Sequence, residues 1–187
     1  MRIRGTAQPQ SLDTMDLETF ILANEPVVRL GGFIGVFVLV AAWEVLAPRR
    51  APMVSKALRW SANLGLVVLN TALLRLALPL AAVGLAAFAA QHGWGLLNHF
   101  GVPFGLAVPA AVIALDFVIW LQHVMVHAVP ALWRLHRVHH ADLDYDLTTG
   151  ARFHPIEILL SMGIKSAAIV VLGPPVVAVV IFELLLN

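Results

Sequence analysis

Three long apolar runs organise the chain. Residues 27–47 carry Arg29 near the start and Glu44 near the end, residues 64–90 contain one charge, Arg75, and residues 101–122 contain one, Asp116. Each run is long enough for a helix to cross a bilayer, which takes roughly 20 apolar residues. A fourth apolar region, residues 158–186, is interrupted by Lys165 and by Gly173-Pro174-Pro175. Proline lacks a backbone donor and its ring collides with the preceding turn, so a broken, hairpin-like pair of half-helices is expected there. Residues 1–26 hold Asp13, Asp16, Glu18 and Glu25 and no continuous apolar stretch of the kind a signal peptide needs. They read as a polar N-terminal segment in which disorder is expected, with Met15 as a second plausible start. The pattern predicts an all-α integral membrane bundle of three spans plus a broken C-terminal helix pair.

The basic residues orient it. Arg49, Arg50, Lys56 and Arg59 follow the first span, whereas QHGWGLLNHF, between the second and third, has no Lys or Arg. Basic loops stay in the cytoplasm, so the third span is expected to return to the cytoplasmic side. All five tryptophans fall near predicted span ends, as interfacial anchors do. Composition agrees: 60% of residues are hydrophobic and 12% charged, with mean hydropathy +0.86, against about half and about a quarter in soluble domains. A net charge of +1 offers nothing to nucleic acid, and the lack of cysteine removes thiolate ligands, disulfides and cysteine nucleophiles.

The chemistry gathers where the third span ends. HVMVHAVPALWRLHRVHH holds five of the eight histidines. On a helix advancing about 100° per residue, Asp116, His123 and His127 share one narrow face. His123 and His127, at i and i+4, can both point at one metal ion, and Asp116 two turns earlier could accept a proton from a ligand's second ring nitrogen. Pro130 ends or bends that helix. His136, His139 and His140 then share a second face at i, i+3 and i+4.

A lone histidine in an apolar stretch is usually structural; five at two metal-binding spacings point to a metal site. Imidazole suits iron, zinc and copper, and five ligands exceed one tetrahedral zinc, so two metals are the economical reading. A pair of irons beside a membrane suggests oxygen activation. His92 and His99 fall at the opposite side and are expected to do no chemistry. Asp142, Asp144 and Asp146 alternate like a calcium loop. Leu147 and Phe153 stand where such a loop needs Gly and Glu, so the segment reads as an acidic cytoplasmic loop. Arg75 is costly inside lipid and should have a partner, with Asp116 nearest in depth, or else a water-lined cavity.

DFVIWLQHVMVH, then LWRLHRVHH, then TTGARFHPIE resembles the fatty acid hydroxylase/sterol desaturase superfamily of integral membrane enzymes, in detail over residues 116–157 and in character over 30–187. The resemblance implies a membrane-embedded domain over residues 27–187 with two non-haem irons, for which zinc can substitute, in a histidine cage at the cytosolic face. It implies O2 and an electron-donor protein as partners, and a lipid substrate (fatty acyl, sterol or related) that is hydroxylated or desaturated. Carried over by position, His123, His127, His136, His139 and His140 would be the ligands and catalytic centre. His154 stands evenly between ligand and helix cap, because Pro155 suits a first helical position and Glu157 can bind the free N–H groups there. Arg152 and Glu157 are expected to support the ligands, as is Asp116.

The family carries a further His-x2-His-His box downstream, and no histidine follows His154. A C-terminally truncated enzyme is therefore expected. Two alternatives stay open: a non-catalytic relative that binds metal incompletely, and a membrane metal-binding or transport protein. Transport would spread ionisable residues through the bilayer, whereas here they cluster at one end. The setting implied is a bacterial inner membrane with the site facing the cytoplasm, where Arg134 and Arg137 offer positive charge to a donor protein.

Overall fold

The computed structural model describes residues 12–78 and 81–186; residues 1–11 of the polar N-terminal segment lie outside the described residues. Among the described residues there is no strand. The chain runs through α1 (Leu12–Leu46), α2 (Lys56–Ala77), α3 (Ala82–Gln91), a single turn α4 (Leu96–His99), α5 (Phe104–Ala128), α6 (Pro130–His140), a 3-10 turn (Leu147–Ala151), α7 (Pro155–Leu172) and α8 (Val176–Leu186). Three stretches are long and apolar enough to cross a membrane: Lys56–His99, Phe104–Ala128 and Pro155–Leu172. Leu30–Leu46, within α1, and α8 are shorter apolar helices. The protein is an all-helical integral membrane bundle.

Two boundaries differ from those expected. Helix α1 begins at Leu12, so helical backbone extends into the segment read as polar. The second span is divided: α2 ends at Ala77, Leu78 is extended (φ −129°, ψ 90°), and α3 starts at Ala82. Leu78 precedes Pro79, and a proline ring disfavours helical backbone in the residue before it. The division puts Arg75 in the last turn of α2, exposed, with no ion pair to Asp116 or another carboxylate among the described residues. At a helix end its long stem can carry the charge to the polar boundary, so no partner at depth is needed.

The break between α7 and α8 falls where expected. Gly173 closes α7 in the left-handed conformation (φ 62°, ψ 53°) and its N–H donates to Ile169 O, a conformation that costs glycine little. Gly95 (φ 94°) lies against it so closely that a Cβ on Gly95 would strike the backbone of Leu172 and Gly173. The turn between α3 and α4 is thereby fastened to the α7–α8 corner.

Helix α8 is central, packed against α1, α3 and α5. Its Val176, Val179, Val180 and Phe182 meet Ala82, Val83 and Ala86 of α3, Leu115 of α5 and Ile169 of α7. Small residues on α3 let the backbones approach, as packing between membrane helices requires. Large apolar side chains such as Leu39, Trp43, Val68, Leu76 and Ile113 face outward instead, which is where lipid would cover them. Inside, Lys165 of α7 donates to Glu183 Oε1 of α8 at 2.8 Å, both side chains being largely buried. Pairing offsets part of the cost of holding these charges away from water.

Candidate metal centre

The loop that follows the histidines is held by a buried arginine. Arg59 of α2 grips Asp142 with two parallel bonds, Nε to Oδ1 at 2.7 Å and Nη2 to Oδ2 at 2.8 Å, and sends Nη1 to Asp146 Oδ2 at 2.9 Å. Thr149 Oγ1 and Asn63 Nδ2 also donate to Asp142 Oδ2, at 2.6 and 3.1 Å. Trp60 Nε1 donates to Asp146, which also caps the 3-10 turn by accepting from Thr148 N. Burial opposes ionisation of Asp142, but the hydrogen bonds from Arg59, Thr149 and Asn63 outweigh it and hold its carboxyl at about 2. The segment read as an acidic loop is pinned, with Asp142 and Asp146 turned inward onto one guanidinium. Bidentate geometry is what lysine cannot reproduce. Arg59→Lys is expected to cost about 1–3 kcal/mol, read as a lower thermal unfolding midpoint in detergent; an unchanged midpoint would show that the clamp contributes little.

With the loop fixed, the histidines converge. His123 and His127 end α5, Val129 is extended, and Pro130 opens α6 at its first turn. The helix restarts at once and α6 packs on α5. His140 Nε2 then stands 3.2 Å from His136 Nε2 and 3.3 Å from His127 Nε2. One nitrogen each from His123, His127 and His136 lie within 4.8 Å of one another. The rings of His123 and His136 are 4.9 Å apart. Two nitrogens bound to one ion at about 2.0–2.1 Å, at the tetrahedral angle, would be about 3.3 Å apart. The separations of 3.2 and 3.3 Å around His140 are those of ligands sharing a cation.

Protonation supports this. His136 is completely buried, and its Nδ1 lies 2.6 Å from Glu157 Oε1 of α7. Donation from Nδ1–H to that carboxylate leaves the Nε2 lone pair facing the other rings. Burial, then repulsion from His127 and His140, pushes His136 down to about 4. It is neutral at neutral pH, as a metal ligand must be. Because His140 Nε2 faces two nitrogens and carries at most one hydrogen, a shared cation resolves a contact that hydrogen bonding cannot. His139 lies at the flank, its ring 5.3 Å from that of His136 and stacked on Phe153 at 5.0 Å. Its pKa is lowered by burial and by its histidine neighbours, and its buried Nδ1 has no hydrogen-bond partner among the described residues.

The supporting residues fall into place differently from expectation. Asp116 is exposed on α5 and makes no hydrogen bond among the described residues; the carboxylate that meets a histidine is Glu157, from another helix. Glu157 was expected to support the ligands, and it does so at His136. For His154 the structure shows the cap: its Nδ1 accepts from Ile156 N at 3.1 Å. Arg152 donates to Val138 O and Asn63 Oδ1, bracing the end of α6. His92 bonds Phe88 O of its own helix, and His99 packs on Phe100, both apart from the cluster. Trp133, whose ring lies 5.3 Å from that of His127 and 5.4 Å from that of His140, had been read only as an interfacial anchor.

Residues 108–187 match the family model described as Fatty acid hydroxylase. Over those residues the chain is similar to the fatty acid hydroxylase family, which agrees with the resemblance carried by its histidine motifs. No curated protein and no solved structure matches it. The fatty acid hydroxylase match begins within α5 and takes in every histidine of the cluster together with Glu157, while Arg59 and the rest of α1–α4 precede it. The family is generally iron-dependent, and the cluster of His123, His127 and His136 could bind a metal. The donor set and spacing fit such an ion.

Proposed function

We propose that this protein is a membrane-bound di-iron oxidoreductase that uses O2 to hydroxylate or desaturate a C–H bond of a lipid. The observation that carries the reading is the convergence of the Nε2 atoms of His127, His136 and His140 to 3.2 and 3.3 Å. His123, His127, His136 and His140 would hold metal directly, with His139 free to offer its remaining nitrogen. Iron bound there supplies oxygen activation and one-electron chemistry that side chains cannot.

The protein's own groups provide the surroundings. Glu157 keeps His136 in one tautomer and takes part of the charge when metal binds. Trp133 packs beside the imidazoles of His127 and His140, which are exposed, and Phe153 stacks on that of His139, so the aromatic rings hold the imidazoles in orientation. Phe117, Trp120 and Val124 are exposed on α5 next to His123, and the stacked Phe117 and Trp120 rings form an apolar approach from the bilayer. A substrate chain lying against that face reaches the cage without crossing the bundle. Arg134 and Arg137 are exposed on α6 and offer a positive surface to an electron-donor protein. The basic loop before α2 supports a cytoplasmic orientation of this end, in a bacterial inner membrane.

Two measurements test the reading on the full chain in detergent. Elemental analysis is expected to find about two iron ions per chain, with zinc able to take their place. Incubation with bacterial lipids, a chemical reductant and O2 is expected to yield lipids that gain one oxygen or lose two hydrogens. A protein that retains no metal and leaves every lipid unchanged would instead be a non-catalytic relative.

A further inference from the structure

A cavity of about 890 Å³ opens at the same end of the bundle as the histidines, between the end of α1, the connection to α2 and the loop beyond His140. Its walls carry charges of both signs. Arg49 and Lys56 have no carboxylate partner among the described residues, and Arg50 comes no nearer to Asp144 Oδ1 than 3.9 Å, beyond hydrogen-bond reach. Facing them are two carboxylates that are each half used. Glu44 Oε1 accepts from Leu147 N, and Asp144 Oδ2 accepts from Met53 N at 2.8 Å and Val54 N at 2.9 Å. Their other oxygens, Glu44 Oε2 and Asp144 Oδ1, are buried without a hydrogen-bond partner among the described residues, and Asp144 is only 4% exposed. Leaving such an acceptor unpaired costs free energy.

Each single charge fails to fit. A plain anion would suit the arginines and lysine but lie against two orphaned carboxylate oxygens. A plain cation would satisfy those oxygens and lie against three positive side chains. A group bearing a phosphate and a primary ammonium satisfies both walls. The phosphate takes charge-assisted bonds from guanidinium and ammonium groups, and the ammonium has the N–H donors the carboxylates lack. A quaternary amine has no donor to give. Trp43, exposed at the outer rim, stands where an aromatic ring meets the headgroup layer. Beyond it the outer face of α1, with Leu39 exposed, offers a track for acyl chains.

We propose that this cavity binds the head group of an aminophospholipid, with phosphate on Arg49, Arg50 and Lys56 and the primary ammonium on Glu44 and Asp144. The assignment does not depend on the metal or on turnover. The test follows tryptophan fluorescence of the full chain in detergent, titrated with short-chain phosphatidylethanolamine, phosphatidylcholine, phosphatidylglycerol or free phosphoethanolamine. Phosphatidylethanolamine is expected to bind about tenfold more tightly than the choline lipid, the difference one charge-assisted hydrogen bond makes, and more tightly than the glycerol lipid or free phosphoethanolamine. Glu44→Gln keeps an acceptor for Leu147 N and removes the charge, so it should erase the preference over the choline lipid. Arg49→Gln, at an exposed position, should weaken both lipids together by several-fold. Equal binding of all three lipids, a preference for the glycerol lipid, or a preference that survives Glu44→Gln would each overturn the proposal. So would equal affinity for free phosphoethanolamine, which would make the ligand a soluble metabolite. If Glu44→Gln does not fold, judged by circular dichroism, unchanged binding by Arg49→Gln overturns it alone.

Discussion

His136→Ala is expected to leave the purified protein with less than about a tenth of the metal that the parent retains. Among the clustered histidines His136 is the fully buried one, and it uses both ring nitrogens: Nε2 faces His140 and Nδ1 meets Glu157. Alanine removes a ligand and also strands the Glu157 carboxylate, whose Oε2 already lacks a hydrogen-bond partner among the described residues. Glu157→Gln is the finer probe. An amide oxygen can still accept from His136 Nδ1, so ring orientation survives while the negative charge is lost. Changes to such supporting groups typically cost 10–100-fold in metal affinity, and chelator competition should place Glu157→Gln in that range. Full metal retention by His136→Ala would remove this residue from the ligand set.

Lys165→Met is expected to be the most destabilising single change away from the metal. It leaves Glu183 charged beside α7 without the ammonium 2.8 Å away, and breaking a buried pair from one side costs about 3–5 kcal/mol. Adding Glu183→Gln should recover part of that loss, since the amide carries no charge to strand. Unfolding midpoints of the parent, the single and the double variant in one detergent decide it. A single variant as stable as the parent would mean that the pair lies in contact with water.

The histidine cluster was legible because its geometry is local. Spacings of three and four residues fix a shared face within one helix, and Pro130 makes the two helical segments adjacent in sequence and in space. The break at Gly173-Pro174-Pro175 was legible for the same reason, since backbone conformation there is dictated by the residues themselves. Pro79 carried an equal signal for the break after α2, but the unbroken apolar run around it hid that signal. What escaped were partners far apart in the chain. Arg59 and Asp142 are separated by 83 positions, and no periodicity selects that aspartate for that arginine. Asp116 shared the correct face of α5 but stood two turns from His123, whereas Glu157 reached His136 sideways from α7. Angular position on one helix reveals which residues face together; it is silent on which neighbouring helix arrives there.

Helix α8 has a consequence for biogenesis. It packs against α1, α3 and α5, all of which are synthesised before it. Until α8 has entered the bilayer, α1 lacks its main helical neighbour and α3 and α5 are closed only in part by α7, so lipid or an insertion chaperone must shield the faces left open. The late helix acts as a keystone. Mutations that slow its insertion should therefore show first as degradation of newly made chains, at positions where the assembled protein would register only modest loss of stability.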